Sequence, residues 1–179
     1  MRLRIAVIVG STREGRVGDG VAAWFAGVAR ERSCLGVDVL DLVDFDFPAR
    51  LPARATGEMN RFVAAVGGAD GFVVVTPEYN RSFPASLKQA VDYGYDEWHA
   101  KPVGFVCYGC GSRGQYAAAA LRPVFAELHT VTVRDEVGID LMESEPGPAH
   151  TGAAGVLLDE LVWWAEALRT ARTARPYVA

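Results

Sequence analysis

The sequence predicts an α/β domain with a doubly wound, five-stranded parallel sheet and helices on both faces. Two observations favour this class: five apolar, strand-like runs alternate with helix-like stretches, and four of those runs are almost continuously apolar. Continuous runs rich in valine and isoleucine are typical of parallel strands, because helices cover both faces of such a sheet. The remaining run, VDVLDL, alternates and suits an edge strand. The predicted strands are residues 3–9, 37–42, 71–75, 103–108 and 130–134.

The stretches between the strands carry apolar residues at the helical period of 3.6. Pro123 falls inside the fourth helical stretch and predicts a kink or a late start there. Residues 43–55 and 138–151 are predicted to be irregular loops, and residues from about 170 to 179 a frayed tail. With no internal repeat or linker, the whole chain, 1–179, is expected to be one domain. The predicted buried helix faces are Val21, Trp24, Phe25 and Val28; Leu121, Val124, Phe125 and Leu128; and Leu157, Leu161, Trp164 and Leu168.

Composition excludes several classes of protein. The chain has 179 residues and a net charge of −4, which disfavours a nucleic-acid-binding surface. No apolar run reaches transmembrane length, so we expect no membrane partner. Three cysteines are too few for a disulfide framework and indicate a reducing compartment, most simply the cytoplasm. Cys107 and Cys110 form a C-x-x-C pair, but two further zinc ligands are missing, so we predict no metal site.

Ligands of doubly wound sheets bind at the carboxyl ends of the strands, near the point where strand order reverses. The loops after the first, third and fourth predicted strands should therefore meet in one site. Their sequences are GSTREGRVG, TPEYNRSF and YGCGSRGQ.

The first loop has the spacing G-x-x-x-x-G of a nucleotide-binding P-loop but lacks the lysine that must follow it. Ser11 and Thr12 offer hydroxyl groups, Arg13 and Arg16 offer guanidinium groups, and a helix follows with free N–H groups. These features suit a terminal phosphate monoester. The loop is equally consistent with a Gly-Ser turn carrying two solvated arginines.

The loop after the fourth strand, Gly109 to Gly114, has the spacing G-x-G-x-x-G, and Asp135 follows about twenty residues on, as in dinucleotide-binding folds. That fingerprint normally lies in the first βα unit, whereas this one lies in the fourth. We favour the alternative that its glycines let backbone N–H groups approach the edge of a flat ring.

The middle loop combines Pro77, Tyr79 and Asn80 with a helix start, for which Pro84 is a suitable first residue and Ser82 a possible cap. On its own this loop also fits a capped turn without a ligand. The segment 93–102 brings further aromatic residues, including Tyr95 and Trp98, which we place near the site as an interface or a covered loop.

The segments GSTREGR, PEYNRSFPASLKQAVDY and KPVGFVCYGCGSRGQYAAAALRPVFAEL resemble the flavodoxin-like NADPH-dependent FMN reductases, which include quinone, chromate and azo-dye reductases. The resemblance runs from Ile5 to about Arg134. Gly18-Asp19 departs from it, because many relatives have serine or asparagine there. The resemblance implies that the cofactor FMN is bound by Ser11, Thr12, Arg13, Arg16 and Val17 at its phosphate, by Pro77, Glu78, Tyr79 and Asn80 at its ring, and by Tyr108, Gly109, Gly111, Ser112 and Gly114 at the ring edge.

The implied activity passes two electrons from NADPH through flavin N5 to a small-molecule acceptor, which is a quinone, free flavin, azo dye or metal oxyanion. No protein residue is expected to act as a catalytic acid or base. Arg113 either contacts the 2′-phosphate of NADPH or is a solvated loop arginine. Two alternatives remain open: an FMN electron carrier that does not oxidise NADPH, and a flavin-free nicotinamide-dinucleotide-binding protein that uses Gly109–Gly114. The family also implies a homodimer or homotetramer.

Overall fold

The computed structural model describes residues 2–143 and 145–178. The strands are β1 (Leu3–Val9), β2 (Leu35–Asp41), β3 (Gly71–Pro77), β4 (Pro102–Gly109), β5 (Val131–Thr132) and β6 (Val137–Asp140). The helices are α1 (Gly18–Arg30), α2 (Gly57–Gly67), α3 (Ala85–Val91), α4 (Gln115–Glu127) and α5 (Thr151–Ala174).

The strands form one parallel sheet in the order β2-β1-β3-β4-β5, with β6 also paired to β4. Strand order therefore reverses beside β1, as in flavodoxin-like sheets, and the carboxyl ends of β1 and β3 lie next to each other. Strands β3 and β4 are buried almost throughout, whereas β2 is partly exposed at the edge. The predicted doubly wound parallel fold is confirmed.

The end of the sheet differs from the prediction. A strand was expected at 130–134 and an irregular loop at 138–151, but β5 has only two residues and β6 begins at Val137. The reason lies in the backbone donors of Arg134 and Asp135, which bond to the Glu160 carboxylate of α5 at 2.9 and 3.1 Å instead of to β4. The chain therefore leaves the sheet after β5 and rejoins β4 further along the same edge.

Two apolar layers sandwich the sheet, one containing α1 and α5 and the other containing α2, α3 and α4. The predicted helix faces pack into these layers, as expected for helices with an apolar stripe, except that Leu168 belongs to neither layer. Helix α4 begins at Gln115 and continues through Pro123, so the predicted late start is wrong.

The carboxyl-terminal helix is longer than predicted. Helix α5 continues to Ala174, so a frayed tail beginning at 170 is wrong. Asp70 lies 3.4 Å from the Arg169 guanidinium and 3.5 Å from that of Arg172, and the Arg172 guanidinium also donates to the Ala100 carbonyl. These contacts attach the last turns of α5 to the body of the protein.

The aromatic segment 93–102 was predicted to lie near the site, but it precedes β4 and lies at the amino ends of the strands, opposite the carboxyl ends. Trp98 is fully buried and packs against Phe72 and Phe125. The segment is therefore mainly part of the core, although Tyr95 is half exposed. In the two described ranges, no helix has both the length and the apolarity needed to cross a bilayer.

Candidate functional site

A cavity of about 440 Å³ opens at the carboxyl ends of β1, β3 and β4, and all three predicted loops line it. Its volume lies within the range of small-molecule sites, and its place beside the reversal of strand order is where doubly wound folds bind ligands. The predicted site residues that line it are Ser11, Arg13, Arg16, Val17, Pro77, Glu78, Tyr79, Tyr108, Gly109 and Ser112.

Four predicted site residues, namely Thr12, Asn80, Gly111 and Gly114, do not line this cavity. The lining also includes residues that were not among the predicted site residues: Glu14, Gly15, Cys110 and Leu141. Leu141 follows β6, and its N–H donates to the Gly109 carbonyl at 3.0 Å. Because the sequence pattern did not reveal β6, it gave no signal for Leu141.

Direct hydrogen bonds join the first and middle loops. The buried Ser11 hydroxyl shares a 3.2 Å hydrogen bond with the Tyr79 hydroxyl. The Ser86 hydroxyl donates to the Gly10 carbonyl at 3.0 Å, which connects the start of α3 to the first loop. The middle loop therefore has a fixed position relative to the first loop.

Arg16 lies in the first loop but points its guanidinium at the end of β2. It donates to both carboxylate oxygens of Asp41, at 2.6 and 2.5 Å, and to the Ser11 carbonyl at 2.7 Å. Hydrogen bonding to Asp41 raises the pKa of Arg16. A doubly bonded, half-buried pair of this kind fixes a loop, and it leaves Arg16 with less freedom to bind a phosphate than the sequence suggested.

Arg13 differs from Arg16 in its environment. Its side chain is exposed at the cavity, and within the described ranges no carboxylate forms an ion pair with it. Arg13 is therefore the guanidinium of this loop that remains available for an anion.

The middle loop contains a tight turn rather than the predicted serine cap. Tyr79 and Ser82 exchange backbone hydrogen bonds of 2.8 and 2.9 Å, and the two residues between them, Asn80 and Arg81, have φ of 50° and 62°. Helix α3 is preceded by Pro84, with no side-chain cap. The predicted capping by Ser82 is wrong because the Ser82 backbone belongs to this turn.

The loop after β4 is held by Asp140, which lies at the end of β6. The Asp140 carboxylate accepts hydrogen bonds from the backbone N–H groups of Gly111, at 2.9 Å, and Met142, at 3.0 Å, and these bonds lower its pKa. Glu78 accepts a 3.2 Å hydrogen bond from the Tyr116 N–H near the start of α4. The missed strand β6 therefore fixes part of the site.

Asp135, the acidic residue of the alternative dinucleotide fingerprint, does not line the cavity, so the fingerprint is incomplete at this site.

The two cysteines of the C-x-x-C pair lie in different environments: Cys107 is buried and Cys110 is exposed. Burial raises the pKa of Cys107, so it is a neutral thiol of the core. No group of three or more potential metal ligands occurs in the residues described.

The environment of the Tyr108 hydroxyl indicates whether a flavin phosphate would fit this cavity. The hydroxyl is buried, and no group among residues 2–143 and 145–178 meets it with hydrogen-bond geometry. Burial raises the pKa of Tyr108, and the nearby Ser11 hydroxyl offsets only part of that rise, so Tyr108 remains a neutral donor. A Cβ at Gly18 would lie 2.5 Å from the Tyr108 hydroxyl, so glycine is required where Tyr108 meets the first loop. A buried donor without a partner is rare in native proteins, and an acceptor oxygen in the cavity would satisfy it. The residues present therefore fit FMN.

The fold is a flavodoxin-like doubly wound sheet, and its cavity is bordered by the first loop and by the Pro77–Tyr79 segment at the carboxyl ends of the strands. Residues 3–143 match the family described as NADPH-dependent FMN reductase. The chain belongs to this family, which confirms the resemblance inferred from the three loops. The predicted oxidoreductase class and its FMN and NADPH cofactors are those of the family.

Individual relatives agree with this assignment. An NAD(P)H-dependent FMN reductase of a Nectria species is 38% identical over 119 residues, which cover 59% of each protein. A 2-hydroxy-1,4-benzoquinone reductase of a Burkholderia species is 36% identical over 140 residues, covering 73% of this chain and 74% of the relative. The structure of the flavoenzyme NAD(P)H:acceptor oxidoreductase FerB from Paracoccus denitrificans aligns with a TM-score of 0.74 and 23% identity, over 94% of this chain and 98% of FerB, and supports the fold.

Proposed function

We propose that the protein is an NAD(P)H-dependent oxidoreductase that holds FMN in the cavity described above. The observation that carries this proposal is the buried, unpartnered Tyr108 hydroxyl, which lies against the first loop in a cavity of about 440 Å³. Bound FMN would supply the redox chemistry, taking a hydride at N5 from NAD(P)H and passing two electrons to an acceptor. The protein residues would bind the FMN, orient it and shield it from solvent.

The proposed roles follow from the contacts of each side chain. Ser11, Arg13 and Tyr108 offer donors to the phosphate end, while Arg16 holds the loop through Asp41. Pro77 and Tyr79 form the wall for the ring. Thr12, Val17, Glu78 and Asn80, together with Gly109, Gly111, Ser112 and Gly114, remain proposed members of the site.

We propose a quinone as the acceptor. Relatives named as a 2-hydroxy-1,4-benzoquinone reductase and as a quinone reductase of Pseudomonas putida cover 73% and 87% of this chain. A quinone is flat, so it can stack on the exposed face of a ring held against the Pro77–Tyr79 wall. A carrier without NADPH oxidation is the second candidate, because flavodoxin-like sheets also serve that role.

Absorption spectroscopy tests the proposal directly. Purified protein is loaded with FMN, desalted, and titrated with NADPH in the absence of oxygen. Retained flavin bands that bleach, and that return when a benzoquinone is added, are the expected result. Retained bands that do not bleach would support the carrier instead, and failure to bind any flavin would contradict the proposal.

The phosphate assignment has its own test. Arg13→Gln should raise the dissociation constant for FMN about tenfold, since one charge-assisted hydrogen bond is lost. Riboflavin, which lacks the phosphate, serves as the control ligand and should bind the variant and the parent equally. Both constants are measured by quenching of flavin fluorescence. An equal loss for both flavins would show that Arg13 acts on the ring or on the fold.

We further propose a homodimer or homotetramer in the cytoplasm. Apolar side chains exposed on α5, Val156 and Trp163, would be covered in such an assembly, and the free thiols Cys34, Cys107 and Cys110 suit a reducing compartment. Light scattering at micromolar concentration should give a multiple of the 19.3 kDa chain mass.

A further inference from the structure

A second, smaller groove of about 360 Å³ adjoins the main cavity. Glu78, Cys110 and Ser112 line both, so the two form one continuous surface. The far side of the groove is lined by Arg81, Gln115 and Tyr116. A ligand that extends beyond the ring-binding cavity in this direction would pass beside Arg81.

Arg81 has a backbone conformation that its residue type disfavours. It is the second central residue of the tight turn between Tyr79 and Ser82, with φ of 62°. Glycine is the preferred residue there, because positive φ costs other residues about 1–2 kcal/mol. Asn80, the first central residue, tolerates this region well. A rigid turn that carries arginine where glycine is favoured indicates a use for the side chain.

The Arg81 side chain is exposed, and its contact with one aromatic ring leaves its charge available. Its guanidinium carbon lies 4.3 Å from the centre of the Tyr116 ring, so the ring covers one face of the group. The nearby Glu78 carboxylate accepts a hydrogen bond from the Tyr116 N–H. In the parts of the chain that the structure describes, no carboxylate forms an ion pair with Arg81. A guanidinium stacked in this way keeps its N–H edge for a phosphate.

Arg113 is the other arginine near the groove and the one that the sequence offered for NADPH. Its guanidinium donates to the Glu143 carboxylate at 3.1 Å, and both side chains are largely exposed. Arg113 therefore already has an acidic partner, whereas Arg81 has only the face of a tyrosine.

We infer that Arg81 binds a phosphate group of the nicotinamide dinucleotide and so sets the affinity for the reductant. This inference rests on the proposed function, because it needs a dinucleotide to reach the ring site. NADPH is long enough to extend from the cavity into the groove, and it carries phosphates in every turnover. A simple quinone is uncharged and needs no cation there. An anionic acceptor is the alternative source of negative charge at this position.

The test compares Arg81→Gly with Arg113→Gly in the FMN-loaded protein. The two variants lose the same charge, and both replace a residue at positive φ, 62° and 56°, so both relieve the backbone rather than strain it. Steady-state rates are measured with NADPH and with NADH, using an uncharged benzoquinone and, separately, an anionic quinone, over a range of salt concentrations. The FMN dissociation constant is measured on the same samples.

We expect Arg81→Gly to raise the KM for NADPH about tenfold with kcat little changed, as loss of one charged hydrogen bond would do. The salt dependence of kcat/KM should also weaken. Arg113→Gly should change KM less than twofold. The FMN dissociation constant should be the same in both variants. If Arg81→Gly raises the KM for NADPH alone, Arg81 contacts the 2′-phosphate. If it raises the KM for NADH equally, Arg81 contacts the pyrophosphate.

Three results would overturn the inference. An unchanged KM for both dinucleotides would remove Arg81 from the reductant site. A raised KM confined to an anionic quinone would assign the groove to the acceptor. If the parent protein retains FMN but NADPH does not bleach it, the proposed function fails first, and this inference fails with it.

Discussion

Two arginines of one loop show how far residue type alone predicts a role. The sequence offered Arg13 and Arg16 equally as phosphate-binding groups. The structure separates them, because Arg16 pairs with Asp41 at the end of β2 while Arg13 is exposed at the cavity. The partner of Arg16 is distant in sequence, and no local pattern predicts a contact of that kind. The sequence predicts an anion site in this loop, and that stays a prediction; it gives no sign that Arg16 pairs with Asp41.

The Arg16–Asp41 pair should contribute more to stability than a surface ion pair. Asp41→Asn keeps the capping oxygen that accepts from the Val43 N–H but removes the charge that faces Arg16. The two side chains are only 14% and 17% exposed. We therefore expect the free energy of unfolding to fall by about 2 kcal/mol, as when a charged hydrogen bond is lost from a half-buried site.

Asp38→Asn is the matched control on the same strand. Asp38 pairs with Arg4 at 3.3 Å, but the Arg4 side chain is 56% exposed and the Asp38 side chain is 59% exposed. Exposed pairs contribute less than about 1 kcal/mol. Urea unfolding of the two variants gives the comparison. Equal losses would mean that Arg16–Asp41 is an ordinary surface pair and does not fix the loop.

At the scale of the elements, strands β1 to β4 and the buried helix faces followed from hydrophobic pattern. The last strands did not. Glu160 of α5 takes the backbone donors of Arg134 and Asp135, and this contact between distant segments decides where β5 ends. Strand β6 then supplies Asp140, which fixes the loop after β4. A short strand whose position depends on tertiary contacts leaves only a weak trace in the sequence.

That loop contains two glycines whose substitution should have very different effects. Gly114 has φ of 77°, and a Cβ there would lie 2.5 Å from the Tyr108 nitrogen and 2.6 Å from the Cys107 Cβ. Gly111 has φ of 79°, but nothing lies within 4 Å of its Cβ position. Gly111→Ala should cost about 1 kcal/mol from backbone strain alone. Gly114→Ala should lower the free energy of unfolding by more than about 3 kcal/mol, because the backbone of β4 at Cys107 and Tyr108 must also move.

Unfolding in urea measures both losses, and the FMN dissociation constant reports on the loop. A larger loss for Gly114→Ala than for Gly111→Ala would show that the last glycine of the G-x-G-x-x-G spacing is required by its close approach to β4. Should the two alanine variants lose the same stability, the close approach of Gly114 to β4 would not be what the loop requires.

At the scale of the whole molecule, the cavity lies at one end of the sheet and a buried charge lies at the other. Lys101 directly precedes β4, is 6% exposed, and donates to the Val66 and Gly67 carbonyls at the end of α2, both at 3.0 Å. Burial is the largest cause that lowers its pKa to about 8; the nearby Arg172 acts in the same direction, and Asp70 and Glu97 act against it. A neutral amine still has two N–H groups, so both hydrogen bonds survive deprotonation.

This buried lysine should make stability depend on pH in an alkaline window. Between pH 8 and about 10.5 the folded protein has released the proton of Lys101, while the unfolded chain still holds it. Because the unfolded state then binds more protons, the free energy of unfolding rises with pH through this window, by at most about 3 kcal/mol. Below pH 8 both states are protonated and the contribution is constant.

Tyrosines titrate in the same region, so the difference between the parent and Lys101→Met isolates the lysine. The free energy of unfolding of the parent minus that of Lys101→Met should increase as pH rises from 8 to 10.5, because the variant lacks the titrating group. Lys88→Met is the control, since Lys88 is the other lysine of the chain and its side chain is 43% exposed. A difference for Lys101→Met that stays constant across the window, or that changes no more than the difference for Lys88→Met, would mean that Lys101 keeps its proton when folded.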